Sequence, residues 1–342
     1  MNNRLNEILA GIRELGKSVQ DLSETQDAGI NMTSGFAPLR FRFSSSKSYN
    51  FMVKIIICLL LILCVVPAYA SGLIISEDTL YTVVKGDTIE RIGARFGVDW
   101  RRIVKDNSLD IKKNLRVGQG IRVKTSRIVP VERDNGIVIN IPDRMLYFFR
   151  NGKLDAAFPV GLGKPAKKGA RGWTTPVGKF TILQKGKNPS WHVPESIQSE
   201  MAEEGKPVLT LVPPGPDNPL GRFAFKTSLQ GIMIHETIWP GSVYQFRSHG
   251  CIRVTPEHME KLFDKVEINT PGELIYMPVK AAVSESGRIF LELHRDTYGR
   301  SKDLRAEIEA QLNRLGVSAR VDRQKIESMI KDKSGVAEDI TL

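Results

Sequence analysis

Ile232-Met233-Ile234-His235 and, further on, Ser248-His249-Gly250-Cys251-Ile252-Arg253 are the segments on which the reading of this chain turns. The first is a short apolar run, of the length of a buried strand, that delivers a histidine at its end. The second places a cysteine after a glycine, a residue that permits close backbone approach. A thiol attacks as its thiolate, and a neighbouring imidazole or cation favours that form. Sixteen positions separate His235 from Cys251, room for a strand end, a loop and a return. The spacing therefore predicts a Cys251 nucleophile served by a His235 base. Amide hydrogens around Gly250 and Cys251 are the candidate oxyanion donors. Arg253 is a candidate for bidentate carboxylate binding.

Upstream, residues 137–141 and 145–150 alternate as strands around the turn Pro142-Asp143-Arg144, and Asn151-Gly152 is a hairpin signal. Thr175-Pro176-Val177-Gly178-Lys179-Phe180-Thr181-Ile182 reads as a turn entering another strand. Seven prolines between Asn188 and Gly221 exclude one continuous helix there. Long connections of this kind commonly wall a site, and Trp191 and His192 stand in this one. Downstream, Thr255-Pro256-Glu257 marks a helix beginning. His235, His249 and Cys251 also compose a set of zinc-ligand types. Trp239, however, stands where the helical zinc motif begun by His235-Glu236 requires its second histidine. The expectation is no metal and no cofactor.

Residues 80–125 carry a different pattern. Leu80-Tyr81-Thr82-Val83-Val84-Lys85-Gly86-Asp87-Thr88 alternates like a strand and ends in a turn. Asp87 or Thr88 can cap a helix bearing Ile89, Ile92 and Phe96, which Gly97 stops. A second short helix fits residues 100–107, and residues 115–123 return as a turn and strand. The order is β-α-α-β.

This module resembles a LysM domain through Tyr81-Thr82-Val83, Lys85-Gly86-Asp87-Thr88, Phe96-Gly97-Val98, Asp106-Asn107 and Val117-Gly118-Gln119-Gly120-Ile121-Arg122-Val123. The resemblance implies peptidoglycan as its ligand, held through the N-acetylglucosamine-containing glycan. Residues 136–280 resemble the catalytic domain of the YkuD-type L,D-transpeptidases, ErfK-like branch, and the domain is expected over residues 132–280. The carriers are His235, the spacing, Ser248-His249-Gly250-Cys251-Ile252-Arg253 and the stretches at 175–180, 189–194 and 214–221. Glu236 stands where that family often has glycine. The fold expected is mainly β, a β-rich catalytic domain behind a small βααβ module. The resemblance implies Cys251 as nucleophile, His235 as base and acid, and His249 and Gly250 as the shapers of the thiolate and oxyanion environment. Arg253, Ser248 and Trp191 become the substrate-binding set. The implied reaction is attack on the diaminopimelate–D-alanine bond of a stem tetrapeptide, then acyl transfer to an amine of another stem or of an envelope lipoprotein. Trimming by carboxypeptidase or endopeptidase action and a non-catalytic wall-binding role are the alternatives.

Composition agrees with this reading. The chain has 342 residues, 41% apolar and 25% charged, which excludes wholly disordered, collagen-like and multi-span membrane classes. A net charge of +11 suits an anionic polymer. An exported chain without a nucleic-acid motif points to the wall, with no nucleic acid as partner. Export is inferred from residues 52–70, where Lys54 precedes an apolar run that ends in Pro67-Ala68-Tyr69-Ala70. These residues are expected to be a signal peptide starting at Met52 and cleaved after Ala70, with a periplasmic or envelope product. Residues 1–51 are then a non-native or disordered extension. Cleavage removes Cys58 and Cys64 and leaves Cys251 unpaired in an oxidising compartment. Residues 281–342 read as a charged, partly helical tail with a strand-like run at 289–294 and Leu304, Ile308, Leu312 and Leu315 at helical spacing.

Overall fold

The computed structural model describes residues 73–166 and 172–342. The extension and signal-peptide readings of residues 1–51 and 52–70 lie outside the described residues. Among the described residues no helix is long and apolar enough to cross a membrane.

Strand β1 (Ile74–Ile75) pairs antiparallel with β4 (Arg127–Ile128), and the pair brackets a small module. Within it β2 (Asp78–Thr82) pairs with β3 (Gly120–Lys124), and α1 (Ile89–Phe96) and α2 (Trp100–Asp106) lie between them in sequence. The Thr88 hydroxyl accepts from the Arg91 amide and caps α1, and Asp99 caps α2 in the same way. Ile92, Ile103, Ile121 and Val123 are buried together, so each element contributes its apolar face to one core. The order is the expected β-α-α-β.

Strands β5 (Gly136–Asn140), β6 (Met145–Arg150) and β7 (Lys153–Pro159) form the meander that the hairpin signals predicted. After β8 (Leu162–Gly163) come β9 (Gly178–Lys187), the short β10 (Trp191–His192), α3 (Glu195–Glu203) and β11 (Leu211–Val212). Then follow β12 (Phe223–Thr227), β13 (Met233–Glu236), β14 (Phe246–Ser248), β15 (Ile252–Val254), α4 (Pro256–Lys265) and β16 (Pro271–Ile275). Eight of these strands make one mixed sheet in the order β15-β13-β12-β9-β16-β5-β6-β7.

The two ends of that sheet meet. Gly161, just past β7, exchanges backbone hydrogen bonds of 2.8 and 2.9 Å with Arg253 of β15. A Cβ on Gly161 would come within 2.6 Å of the Ser242 carbonyl oxygen, so only glycine fits this closure. The curled sheet encloses Ile137, Leu146, Phe158, Phe180, Phe225 and Ile234, with Met259 and Leu262 of α4. The mainly β expectation holds.

Residues after β16 build a further unit of strands and helices. Strands β17 (Val279–Val283), β18 (Ile289–Leu293) and β19 (Glu338–Asp339) form a sheet. Helices α5 (Leu304–Arg314) and α6 (Arg323–Asp332) cover it, and Ile289, Leu291, Ile308, Leu312 and Ile326 share a core. The 280/281 boundary read from the sequence falls inside β17. Lys280 lies in that strand, and its side chain is 1% exposed. Its ammonium lies 2.8 Å from both Asp143 and Glu292 and donates to the Ile128 carbonyl at 2.7 Å. Burial opposes this charge, but the two carboxylates outweigh it and hold Lys280 above the ordinary lysine range. One buried cation thus joins the linker, the large sheet and the C-terminal unit.

Candidate active site

Strand β13 runs parallel to β15, pairing Ile234 with Ile252 and His235 with Arg253. Ile234 and Ile252 enter the core. Strand alternation then turns His235 and Arg253 to the opposite face, and Cys251, one residue before β15, shares it. The sequence separation of sixteen is thereby folded into a diagonal between adjacent strands.

His235 is 5% exposed, and its Nδ1 lies 2.6 Å from the Glu236 carbonyl oxygen. A proton on Nδ1 donates there, which leaves the Nε2 lone pair free as a base. Burial in this setting pulls the imidazole down to about 4, and the nearby Arg253 charge acts in the same direction against the carbonyls of Glu236 and Pro219. The Cys251 thiol is half-buried and donates to the Gly231 carbonyl at 3.5 Å. Burial raises its pKa, opposed by the Met233 amide and by Arg253. Both groups are therefore neutral at pH 7. Among the described residues no hydrogen bond joins the thiol to His235; they share a face and a neighbour.

The turn before Cys251 is tightly held. Gly250 sits at φ +106, a conformation that L side chains rarely adopt. The Ser248 hydroxyl donates to the Cys251 carbonyl at 2.5 Å and accepts from the Gly250 amide at 3.2 Å. The hydroxyl of Ser248, expected as a substrate-binding residue, is thus hydrogen-bonded within the loop. His249 Nε2 lies 2.7 Å from Glu200 of α3, and its ring is tilted against Trp173 at 5.1 Å. Trp173 Nε1 donates to the other Glu200 oxygen at 2.9 Å. The His249 hydrogen bond is the leading reason that the Glu200 carboxyl stands below its usual range. Sequence reading missed Glu200 and Trp173, because nothing local ties residue 200 to residue 249.

A cleft of about 830 Å³ opens at Cys251 and is lined also by Trp191, His192, Met233, Lys187 and Lys226. Arg253 lies 5.7 Å from the Trp239 ring. Glu236, where glycine is frequent, is buried and ion-paired with Arg222 at 3.1 Å. Asp143, Glu292 and His294 are the one acid and histidine group among the described residues whose ligand atoms converge within 4.8 Å. The Lys280 ammonium already bonds both carboxylates, so the group is an internal ion cluster.

Residues 134–279 match the L,D-transpeptidase catalytic domain of the YkuD family, and residues 81–124 match the LysM domain. Among similar proteins, "Probable L,D-transpeptidase ErfK/SrfK" of Salmonella typhimurium is 27% identical over 74% of this chain and 82% of its own length. "Probable L,D-transpeptidase YbiS" of Escherichia coli is 28% identical over 65% of this chain and 71% of its own. Among solved structures, an L,D-transpeptidase from Mycobacterium smegmatis aligns with a TM-score of 0.33 and 19% identity over 61% of this chain and 96% of that one. The chain thus carries an L,D-transpeptidase catalytic domain of the YkuD family behind a LysM domain.

Proposed function

We propose that the protein is a peptidoglycan L,D-transpeptidase of the cell envelope with Cys251 as nucleophile. The single observation that carries this reading is the Cys251 thiol at the wall of an open cleft, on the same sheet face as a neutral His235 and a charged Arg253. As Sγ attacks the carbonyl of the diaminopimelate–D-alanine bond, His235 Nε2 accepts the thiol proton. The carbonyl oxygen takes up the negative charge opposite amides of the Gly250–Cys251 turn. Collapse breaks the C–N bond, His235 returns the proton to the departing D-alanine amine, and a thioester remains. An amine of a second stem then attacks the thioester and His235 takes its proton. The new amide forms and the thiol is restored. A lipoprotein lysine or water can serve as the alternative acceptor, with anchoring or trimming as the outcome. Arg253 is suited to a stem carboxylate, Trp191 to the apolar stem of the substrate, and the LysM domain to the glycan strand.

Incubating the protein with disaccharide-tetrapeptides and separating the muropeptides tests this. Free D-alanine and cross-linked dimers are the expected products, lost when Cys251 is replaced by alanine. Tetrapeptides left intact by the unsubstituted protein would refute the proposal.

A further inference from the structure

Thr175 is completely buried, yet it lies outside every strand and helix, just ahead of β9. Its hydroxyl accepts from the Gly163 amide at 2.9 Å and donates to the Gly250 carbonyl oxygen at 2.9 Å. It therefore stands between the strand after the closure point and the turn that carries the nucleophile. Its own amide donates to the Tyr298 hydroxyl at 3.2 Å, and that hydroxyl donates to the Gly163 carbonyl at 2.7 Å. Tyr298 comes from the C-terminal unit, in the segment between β18 and α5. It is fixed there by a hydrogen bond from its amide to the Tyr276 hydroxyl at 3.0 Å, and that hydroxyl donates in turn to Asp296 at 2.5 Å. The Tyr298 ring packs 5.3 Å from Phe246 of β14.

The carbonyl that Thr175 holds belongs to the Gly250–Cys251 peptide. In a planar trans peptide the N–H points opposite to the C=O. A hydroxyl anchoring the Gly250 oxygen thus fixes the direction of the Cys251 N–H. The glycine at φ +106 supplies no side chain that could hold this peptide plane instead. We infer that Thr175 and Tyr298 are positioning residues for acyl transfer: through the Gly250 carbonyl they aim the Cys251 amide at the oxyanion. The C-terminal unit is in this way part of the catalytic support, not an appended tail. This inference rests on the proposed function of Cys251.

Two reactions of the same thiol separate aim from mere folding. Opening of a carbapenem ring by Cys251 passes through a tetrahedral oxyanion, and iodoacetamide alkylation displaces iodide at a saturated carbon and forms none. Thr175→Val should slow carbapenem acylation of the full chain about tenfold or more, a fraction of the loss seen when an oxyanion donor is deleted. Alkylation should stay within about twofold, and Thr175→Ser should restore acylation. Tyr298→Phe, which keeps the ring packing, should slow acylation about threefold or more with alkylation again unchanged. If both reactions fall together in Tyr298→Phe, or neither changes, the inference is overturned, and the same holds if serine fails to rescue a folded Thr175→Val protein. No acylation in the unsubstituted protein would instead overturn the functional reading and the inference with it.

Discussion

Lowering the pH from 7.5 to 5 should leave Cys251 acylation almost unchanged. The basis is the burial of His235, which brings its imidazole to about 4 from an ordinary value of 6.5. A base with that constant is still about 90% unprotonated at pH 5, whereas an ordinary imidazole would be about 3% unprotonated. The second-order rate of carbapenem acylation therefore separates the two cases by about thirtyfold at one pH. The sign for stability is opposite to that of a histidine in an ion pair. With the folded constant below the unfolded one, the unfolded chain binds more protons between about pH 4 and 6.5. Stability from this site is thus complete above 6.5 and falls as the pH drops through that window, by about 2 kcal/mol at pH 5. Circular dichroism at each pH keeps loss of fold apart from loss of reactivity. An acid limb centred near 6.5 in folded protein would refute the lowered constant of His235. An NMR signal of His235 imidazolium at pH 7 would refute the neutral resting pair and point to a thiolate–imidazolium pair formed before substrate arrives.

Alkylated Cys251 should release no D-alanine from tetrapeptides, and muropeptide separation after iodoacetamide treatment checks it. Glu200→Gln removes the carboxylate that joins α3 to His249 and Trp173; kcat for D-alanine release is expected to fall several-fold, with hydrogen exchange in α3 increased. Lys280→Met leaves Asp143 and Glu292 buried without their cation, and denaturant unfolding should show a loss of about 3–5 kcal/mol. Trp191→Ala removes a wall of the Cys251 cleft and should raise KM for tetrapeptide more than it lowers kcat.

The parts of this molecule legible in its sequence are those whose cause is local. Thr88 and Gly97 bound α1 because capping acts across three or four residues, and Asn151-Gly152 turns a hairpin for the same reason. His235 and Cys251 could be paired because a strand, loop and return of sixteen residues is nearly the shortest connection that brings parallel neighbours together. Thr175, Glu200 and Tyr298 carry no such signal. Their partners lie 75, 49 and 135 residues away, and a buried threonine hydroxyl has the same periodicity as a packed one. Lys280 carries no local signal either, because both carboxylates that neutralise it come from elsewhere in the chain. The neutral state of His235 was equally hidden: sequence supplies an imidazole, whereas the surrounding β-sheet supplies the desolvation.

That desolvation bears on why the site rests uncharged. An ion pair kept in the same place would have to offset the cost of taking two charges out of water, with the Glu236 and Pro219 carbonyls to support the imidazolium. A neutral thiol and a neutral imidazole avoid that cost while the cleft stands open. In the proposed mechanism charge develops only during attack, and the Met233 amide and the Arg253 charge then favour the thiolate. The loop that presents the sulfur is fixed beforehand from several directions: Ser248 from within, Gly161 along the Arg253 backbone, Thr175 at the Gly250 carbonyl and Glu200 at His249. Each such bond contributes only about 1 kcal/mol net to folding. Their combined effect on reaction is larger, because donors held in place before the substrate binds need no reorganisation when the oxyanion forms.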